Sequence, residues 1–144
     1  MRHLADRIHS IYFLATPHRG SDYAKVLKNI LRITYGRKNY INELLRDSRS
    51  IWSVNDSFRH CADDLQLWSF YETLNSNLLV KDAIVVDRNS ATLGYAKEHV
   101  WPLEANHRNI CKFDDRNDPN YKVLRSCFCK SIEAIESAGN AIVH

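Results

Sequence analysis

Glycine and long apolar runs are both scarce in this sequence of 144 residues. Four glycines are few for a complete α/β enzyme. No apolar run approaches the length of about 20 residues that spans a bilayer. The N-terminus, with Arg2, Asp6 and Arg7, also lacks the apolar core of a signal peptide. We therefore expect no integral membrane segment and a cytoplasmic location.

Cysteine pairs at metal-binding or disulfide-framework spacing are absent as well. The four cysteines are Cys61, Cys111, Cys127 and Cys129, and no two of them form a C-x-x-C pair. Cys127 and Cys129 fall in a helical pattern, in which residues two apart point in different directions. The sequence therefore predicts neither a metal site nor a disulfide framework, and it indicates no cofactor.

The net charge of +3 is only mildly basic, and most of the surplus lies between Lys25 and Arg49. These cations alternate with apolar residues at helical spacing, which favours a solvated helix face. A patch for nucleic acid or an anionic membrane is the alternative. With 44% apolar and 26% charged residues, the composition is that of an ordinary globular chain, and we expect a single domain over residues 1–144 with no nucleic-acid partner.

Alternating strand-like and helix-like segments predict an α/β fold. The predicted strands, in chain order, are Ile8–Ala15, Leu65–Tyr71 and Ala83–Val86. Predicted helices begin at Ser21, at about Asn39 and at Asp118, and the last of them has Pro119 at its first turn and Gly139 as its stop. Between Asp87 and Asn106 we expect a loop with room for a short extended piece.

This order of elements predicts about three mainly parallel strands with covering helices. A sheet of three strands would leave the edge of the Ile8–Ala15 strand open, although long apolar edges are normally paired or covered. We therefore expect that the beginning of the fold is missing from this sequence. The open edge is also where a protein partner could bind.

Four phrases, in order along the chain, resemble the later part of lipase-like α/β hydrolases. They are FLATPHRGS at residues 13–21, SFYET at 69–73, IVVDRNSATL at 84–93, and NHRNICKF at 106–113 with DPNY at 118–121. More specifically, the phrases are similar to the serine-esterase-like domains at the N-termini of fungal NACHT and ankyrin-repeat proteins, and to the related phosphatidylglycerol-remodelling serine hydrolases. The resemblance covers nearly the whole chain and implies a partial α/β-hydrolase fold.

The resemblance implies two members of a catalytic triad. In that fold the acid follows a late strand and the histidine lies in the loop after the last strand. His107 and Glu72 occupy those places, and Asp87 and Asp82 are alternative acids because they also lie near a strand end. An imidazole is suited to this chemistry because it can take a proton from serine and return it to the leaving group near neutral pH.

The nucleophile of such a triad has no counterpart here. The G-x-S-x-G elbow needs small residues around its serine because the strand-to-helix turn is sharp, and no such pentapeptide occurs. Ser21 follows a strand, but Arg19 and Tyr23 stand where glycines are needed. We therefore expect the chain to be inactive on its own, and we interpret His18, in the turn before Ser21, as structural.

Two functions remain open from the sequence. The first is the C-terminal part of a lipase-like or esterase-like serine hydrolase domain, which would act on an ester or lipid once an upstream half completes it. The second is a degenerate, non-catalytic α/β-hydrolase-like module for protein interaction or signalling, as in proteins of the NACHT and repeat type. An in-frame G-x-S-x-G phrase encoded upstream of Met1 would favour the first.

Overall fold

The chain has an α/β fold built on a parallel sheet. A computed structural model describes residues 7–18, 56–76 and 84–141. Three strands, β1 (Ser10–Leu14), β2 (Gln66–Glu72) and β3 (Glu98–Leu103), form a sheet in the order β1-β2-β3, and both pairs of neighbours are parallel. The described residues also form two helices, α1 (Arg88–Ala91) and α2 (Pro119–Ala141). Residues 56–61 form a further helical segment. The expected fold class is confirmed.

Strand β2 is the centre of this sheet, because β1 pairs with one of its edges and β3 with the other. Its near-continuous apolar sequence is typical of a strand covered on both faces. Trp68 and Phe70 belong to one core cluster, whereas Leu67 belongs to a second cluster together with Leu93. The strand predicted at Leu65–Tyr71 is thus confirmed, shifted by one residue.

The third predicted strand was placed wrongly. Residues 84–86 form no strand, although Val85 and Val86 are buried. The third strand is β3, in the segment expected to be a loop. Its sequence, EHVWPL, was misleading because it contains a proline and several residues that remain exposed. Both features are tolerated where a strand has a neighbour on one side only, as β3 does within the described sheet.

Helix α2 packs across one face of the sheet and begins where the sequence predicts. Asp118 caps it, since its Oδ1 accepts the backbone N–H groups of Asn120 at 2.7 Å and Tyr121 at 3.2 Å. Leu124 and Cys127 bury their side chains in the core cluster that contains Trp68 and Phe70.

Helix α2 continues to Ala141 and does not stop at Gly139 as predicted. A glycine ends a helix by adopting a positive φ. Within the described residues Gly94 is the glycine with that backbone conformation, so Gly139 is an ordinary helical residue.

The helices expected from Ser21 and from about Asn39 lie almost wholly outside the described residues. Residues 56–61, at the end of the second of them, are helical. None of the helices in the described ranges combines the length and the apolar character needed to cross a bilayer.

Candidate functional site

Glu72 is the last residue of β2 and lies on the sheet face covered by α2. Side chains alternate between the two faces of a strand, so Glu72 continues the row formed by Trp68 and Phe70. It is 1% exposed, which makes it one of the most buried polar residues described. A carboxyl group at this depth requires compensating partners.

Backbone pairing continues beyond the ends of β2 and β3. The N–H of Thr73 donates to the carbonyl of Leu103 at 3.2 Å, and the Thr73 hydroxyl donates to the same oxygen at 3.0 Å. The N–H of Leu74 donates to the carbonyl of Ala105 at 3.1 Å. These bonds hold the segment after Glu72 against the segment that leads to His107.

His107 lies in a turn that starts at Asn106. The carbonyl of Asn106 accepts the N–H groups of Asn109 and Ile110, both at 3.0 Å, and its side-chain Oδ1 accepts the N–H of Arg108 at 3.1 Å. Ile110 is buried in the main core cluster and anchors the far end of the turn. The backbone of His107 is thereby fixed relative to the sheet.

The structure brings His107 and Glu72 together. Nδ1 of His107 lies 3.8 Å from Oε1 of Glu72, and the two side chains are 22% and 0% exposed. This separation exceeds the hydrogen-bond reach of about 2.6–3.2 Å expected for such a pair, and catalytic hydrogen bonds are often long in the absence of substrate. Within the described residues, neither Oε2 of Glu72 nor Nδ1 of His107 has a hydrogen-bond partner in good geometry.

Backbone amides surround the Glu72 carboxylate. The N–H of Val86 donates to Oε1, and the amides of Val85 and His107 also contribute hydrogen bonds. Sequence reasoning missed this role of Val85 and Val86. Two apolar residues that act only through their backbone N–H groups have the same sequence pattern as two residues of a buried strand. Their amides bond to a side chain, which explains why the segment forms no strand.

Burial dominates the electrostatics of the pair. Burial raises the pKa of Glu72 to about 7, against the opposing effect of the Val86, Val85 and His107 amides, and the negative charge of Asp87 raises it further. Burial lowers the pKa of His107. The ionised form of each group is therefore disfavoured at this site. A shorter distance between the Glu72 carboxylate and the His107 imidazole would favour the ion pair.

Asp87, one of the alternative acids, has a different role in the structure. It is the N-cap of α1, where its Oδ1 accepts the N–H of Ser90 at 2.8 Å. The other alternative, Asp82, lies outside the described residues. Among the carboxylates described, Glu72 is the one that forms an ion-pair contact with His107.

His18 follows β1 and is packed into the fold. Its ring lies edge to face on Phe13, with centroids 4.5 Å apart, and its backbone N–H donates to the carbonyl of Ser90 at 2.7 Å. Burial lowers the pKa of His18, against an opposing effect of Glu98. Ser21 lies outside the described residues. The described ranges also contain no group of three or more side chains arranged to hold a metal ion.

Protein SERAC1 from two vertebrates is similar to this chain. The protein of Mus musculus is 29% identical over 133 residues, which are 90% of this chain and 20% of that protein. The protein of Danio rerio is 28% identical over 116 residues, which are 78% of this chain and 17% of that protein. The chain thus spans at most about a fifth of the length of these curated relatives. No protein-family model matches, and no solved structure gives a significant match.

Proposed function

We propose that the chain is the C-terminal part of a lipase-like or esterase-like serine hydrolase domain, carrying the acid and the histidine of its triad. The nucleophilic serine would come from outside these 144 residues. The observation that carries the proposal is the juxtaposition of a buried carboxyl, Glu72, with His107 at 3.8 Å, both at the carboxyl ends of neighbouring parallel strands. Ligand sites in open α/β sheets lie at that edge.

The similarity to Protein SERAC1 supports a lipase-like or esterase-like domain, and nothing finer. It covers most of this chain and only a small part of the relatives, so it leaves room for a longer protein that contains the nucleophile. An ester or lipid substrate is expected only for the completed domain.

In the proposed reaction His107 is the general base and Glu72 orients it. Nδ1 of His107 faces Glu72, which leaves Nε2 to take the proton of a serine hydroxyl and return it to the leaving group. The carboxylate fixes this tautomer and stabilises the imidazolium that forms. The burial of Glu72 strengthens that interaction, because charges in a dry site are poorly screened.

The experiment has two stages. The transcript is read upstream of Met1, where we expect an in-frame segment that encodes a G-x-S-x-G phrase. The longer product is then expressed and treated with a fluorophosphonate probe, which labels an activated serine. We expect labelling of the parent, and a loss of esterase activity of about 10⁴-fold when the histidine or the acid is replaced in His107→Ala and Glu72→Gln.

Glu104→Gln is the matched control, because Glu104 is an exposed carboxylate in the segment between β3 and His107. Its activity should equal that of the parent. An upstream region without such a phrase would contradict the proposal, and so would labelling and esterase activity that persist in both His107→Ala and Glu72→Gln. Either result would favour the non-catalytic module.

A further inference from the structure

Asp87 connects the carboxylate site to a short helix. It follows directly after Val86, whose N–H donates to Glu72, and it is the N-cap of α1. Its Oδ1 accepts the N–H of Ser90 at 2.8 Å, and its carbonyl accepts the N–H of Ala91 at 2.9 Å. The carboxylate of Asp87 itself is exposed.

Helix α1 has only four residues, Arg88–Ala91, and so depends on its cap. One helical turn fixes several backbone dihedrals for a single hydrogen bond and is unfavourable without further contacts. At its buried side Ser90 accepts the N–H of His18 at 2.7 Å, and Ala91 is 1% exposed. The hydrogen bond from His18 fixes α1 relative to the segment after β1. Because Asp87 caps α1, the backbone of the residues just before Asp87 is held in place as well.

We propose that Asp87 is a positioning residue that, by capping α1, holds the Val85 and Val86 amides against Glu72 and so sets the orientation of Glu72 towards His107. The role of Asp87 in catalysis rests on the function proposed above. Its structural part, the placement of the amides, stands on the observed hydrogen bonds alone.

The position of Asp87 gives it two separable effects on Glu72. One is geometric, because the cap places the Val85 and Val86 amides, which donate hydrogen bonds to this carboxylate. The other is electrostatic, because the negative charge of Asp87 opposes ionisation of Glu72. The groups that act on Glu72 are the Val85, Val86 and His107 amides, the Asp87 carboxylate and the His107 ring.

Two substitutions distinguish these effects. Asparagine is as good an N-cap as aspartate but carries no charge, whereas alanine cannot cap. Asp87→Asn should retain the amide placement and remove the repulsion, and Asp87→Ala should remove both. Asn89→Ala is the matched control, because Asn89 is an exposed residue of the same helix.

The readout is the backbone amide of Val86, followed by NMR in the whole chain. In Asp87→Ala we expect its hydrogen exchange to accelerate by about tenfold, the equivalent of a lost cap, and its chemical shift to move upfield as the bond to Glu72 weakens. In Asp87→Asn the exchange rate should stay at the parent value. The midpoint of the pH titration seen at this amide should fall, because Glu72 ionises more readily without the neighbouring charge.

An unchanged Val86 amide in Asp87→Ala would overturn the inference, as would an equal change in Asn89→Ala. A titration midpoint that stays in place in Asp87→Asn would remove the electrostatic effect. Because these measurements need no substrate and no serine, they can succeed where probe labelling of the completed domain fails. The two proposals are therefore tested separately.

Discussion

Asn120 and Glu104 form a reciprocal pair of hydrogen bonds between α2 and the segment that leads to His107. The Oδ1 of Asn120 accepts the backbone N–H of Glu104 at 2.8 Å, and its Nδ2 donates to the Glu104 carbonyl at 3.0 Å. The amide side chain thus pairs with the backbone as a neighbouring strand would. It attaches the chain just after β3 to the first turn of α2.

Asn120→Ala should therefore loosen the approach to His107. We expect the free energy of unfolding to fall by about 1 kcal/mol, at the low end for two hydrogen bonds because the pair is partly solvated. Urea denaturation measures the change, and the NMR signal of the His107 ring should broaden or shift. Lys122→Ala, at an exposed position two residues further along the helix, is the control and should change neither quantity. A stable variant with an unaltered His107 signal would show that the pairing has no positioning effect.

Tyr12 attaches β1 to α2 through its hydroxyl. The group donates to Oγ of Ser131 at 2.6 Å and lies 3.3 Å from the Cys127 carbonyl, while its ring stacks near Trp68. Tyr12→Phe keeps the ring and removes the donor, so we expect a loss of about 1 kcal/mol of unfolding free energy. Tyr121→Phe on the same helix is the control and should cost less. Equal losses in the two variants would contradict this account of Tyr12.

The buried carboxyl of Glu72 should make stability depend on pH. Its pKa is about 7 in the folded chain against 4.5 as the ordinary value. Between these values the folded chain binds the proton more tightly than the unfolded chain, so this contribution to stability is full below pH 4.5 and is lost as pH rises through 7. Glu72→Gln cannot ionise, and its amide oxygen can still accept the N–H of Val86.

We therefore expect Glu72→Gln to gain on the parent as pH rises from 5 to 8, by about 1–3 kcal/mol of unfolding free energy. His107 has the opposite sign, because its lowered pKa removes stability as pH falls below 6.5. It is present in both proteins, so the difference between the two urea-denaturation curves reports Glu72 together with its coupling to His107. Parallel stability profiles would mean that Glu72 is ionised at its ordinary pKa.

Much of the fold was predictable because β2 and α2 have strong local signals. The apolar run of β2 indicates a strand covered on both faces, and the Asp118 cap followed by Pro119 marks the start of α2. β3 was not predictable in the same way, because a strand with Pro102 and an exposed Trp101 lacks the alternation that marks a half-buried strand.

The candidate site was predictable only in part. His107 and Glu72 could be named because their side chains carry recognisable chemistry at the ends of sequence phrases. The Val85 and Val86 amides could not be named, because every residue except proline has the same backbone N–H group. Their role depends on Glu72 being buried within reach, which is a property of the folded chain alone.

The isolated chain should be silent towards p-nitrophenyl esters and should not react with a fluorophosphonate probe. Both reactions require a serine held within reach of the histidine and facing two oxyanion donors. The 144 residues contain no G-x-S-x-G elbow, and Ser21 has Arg19 and Tyr23 where the elbow needs glycine. Binding alone can leave weak catalysis when a triad member is missing, but covalent labelling cannot occur without the nucleophile. The measurement is probe labelling of the purified chain beside His107→Ala, with an active serine hydrolase as the positive control. Stoichiometric labelling that disappears in the variant would reveal a nucleophile within the chain, and would make it a working serine hydrolase by itself.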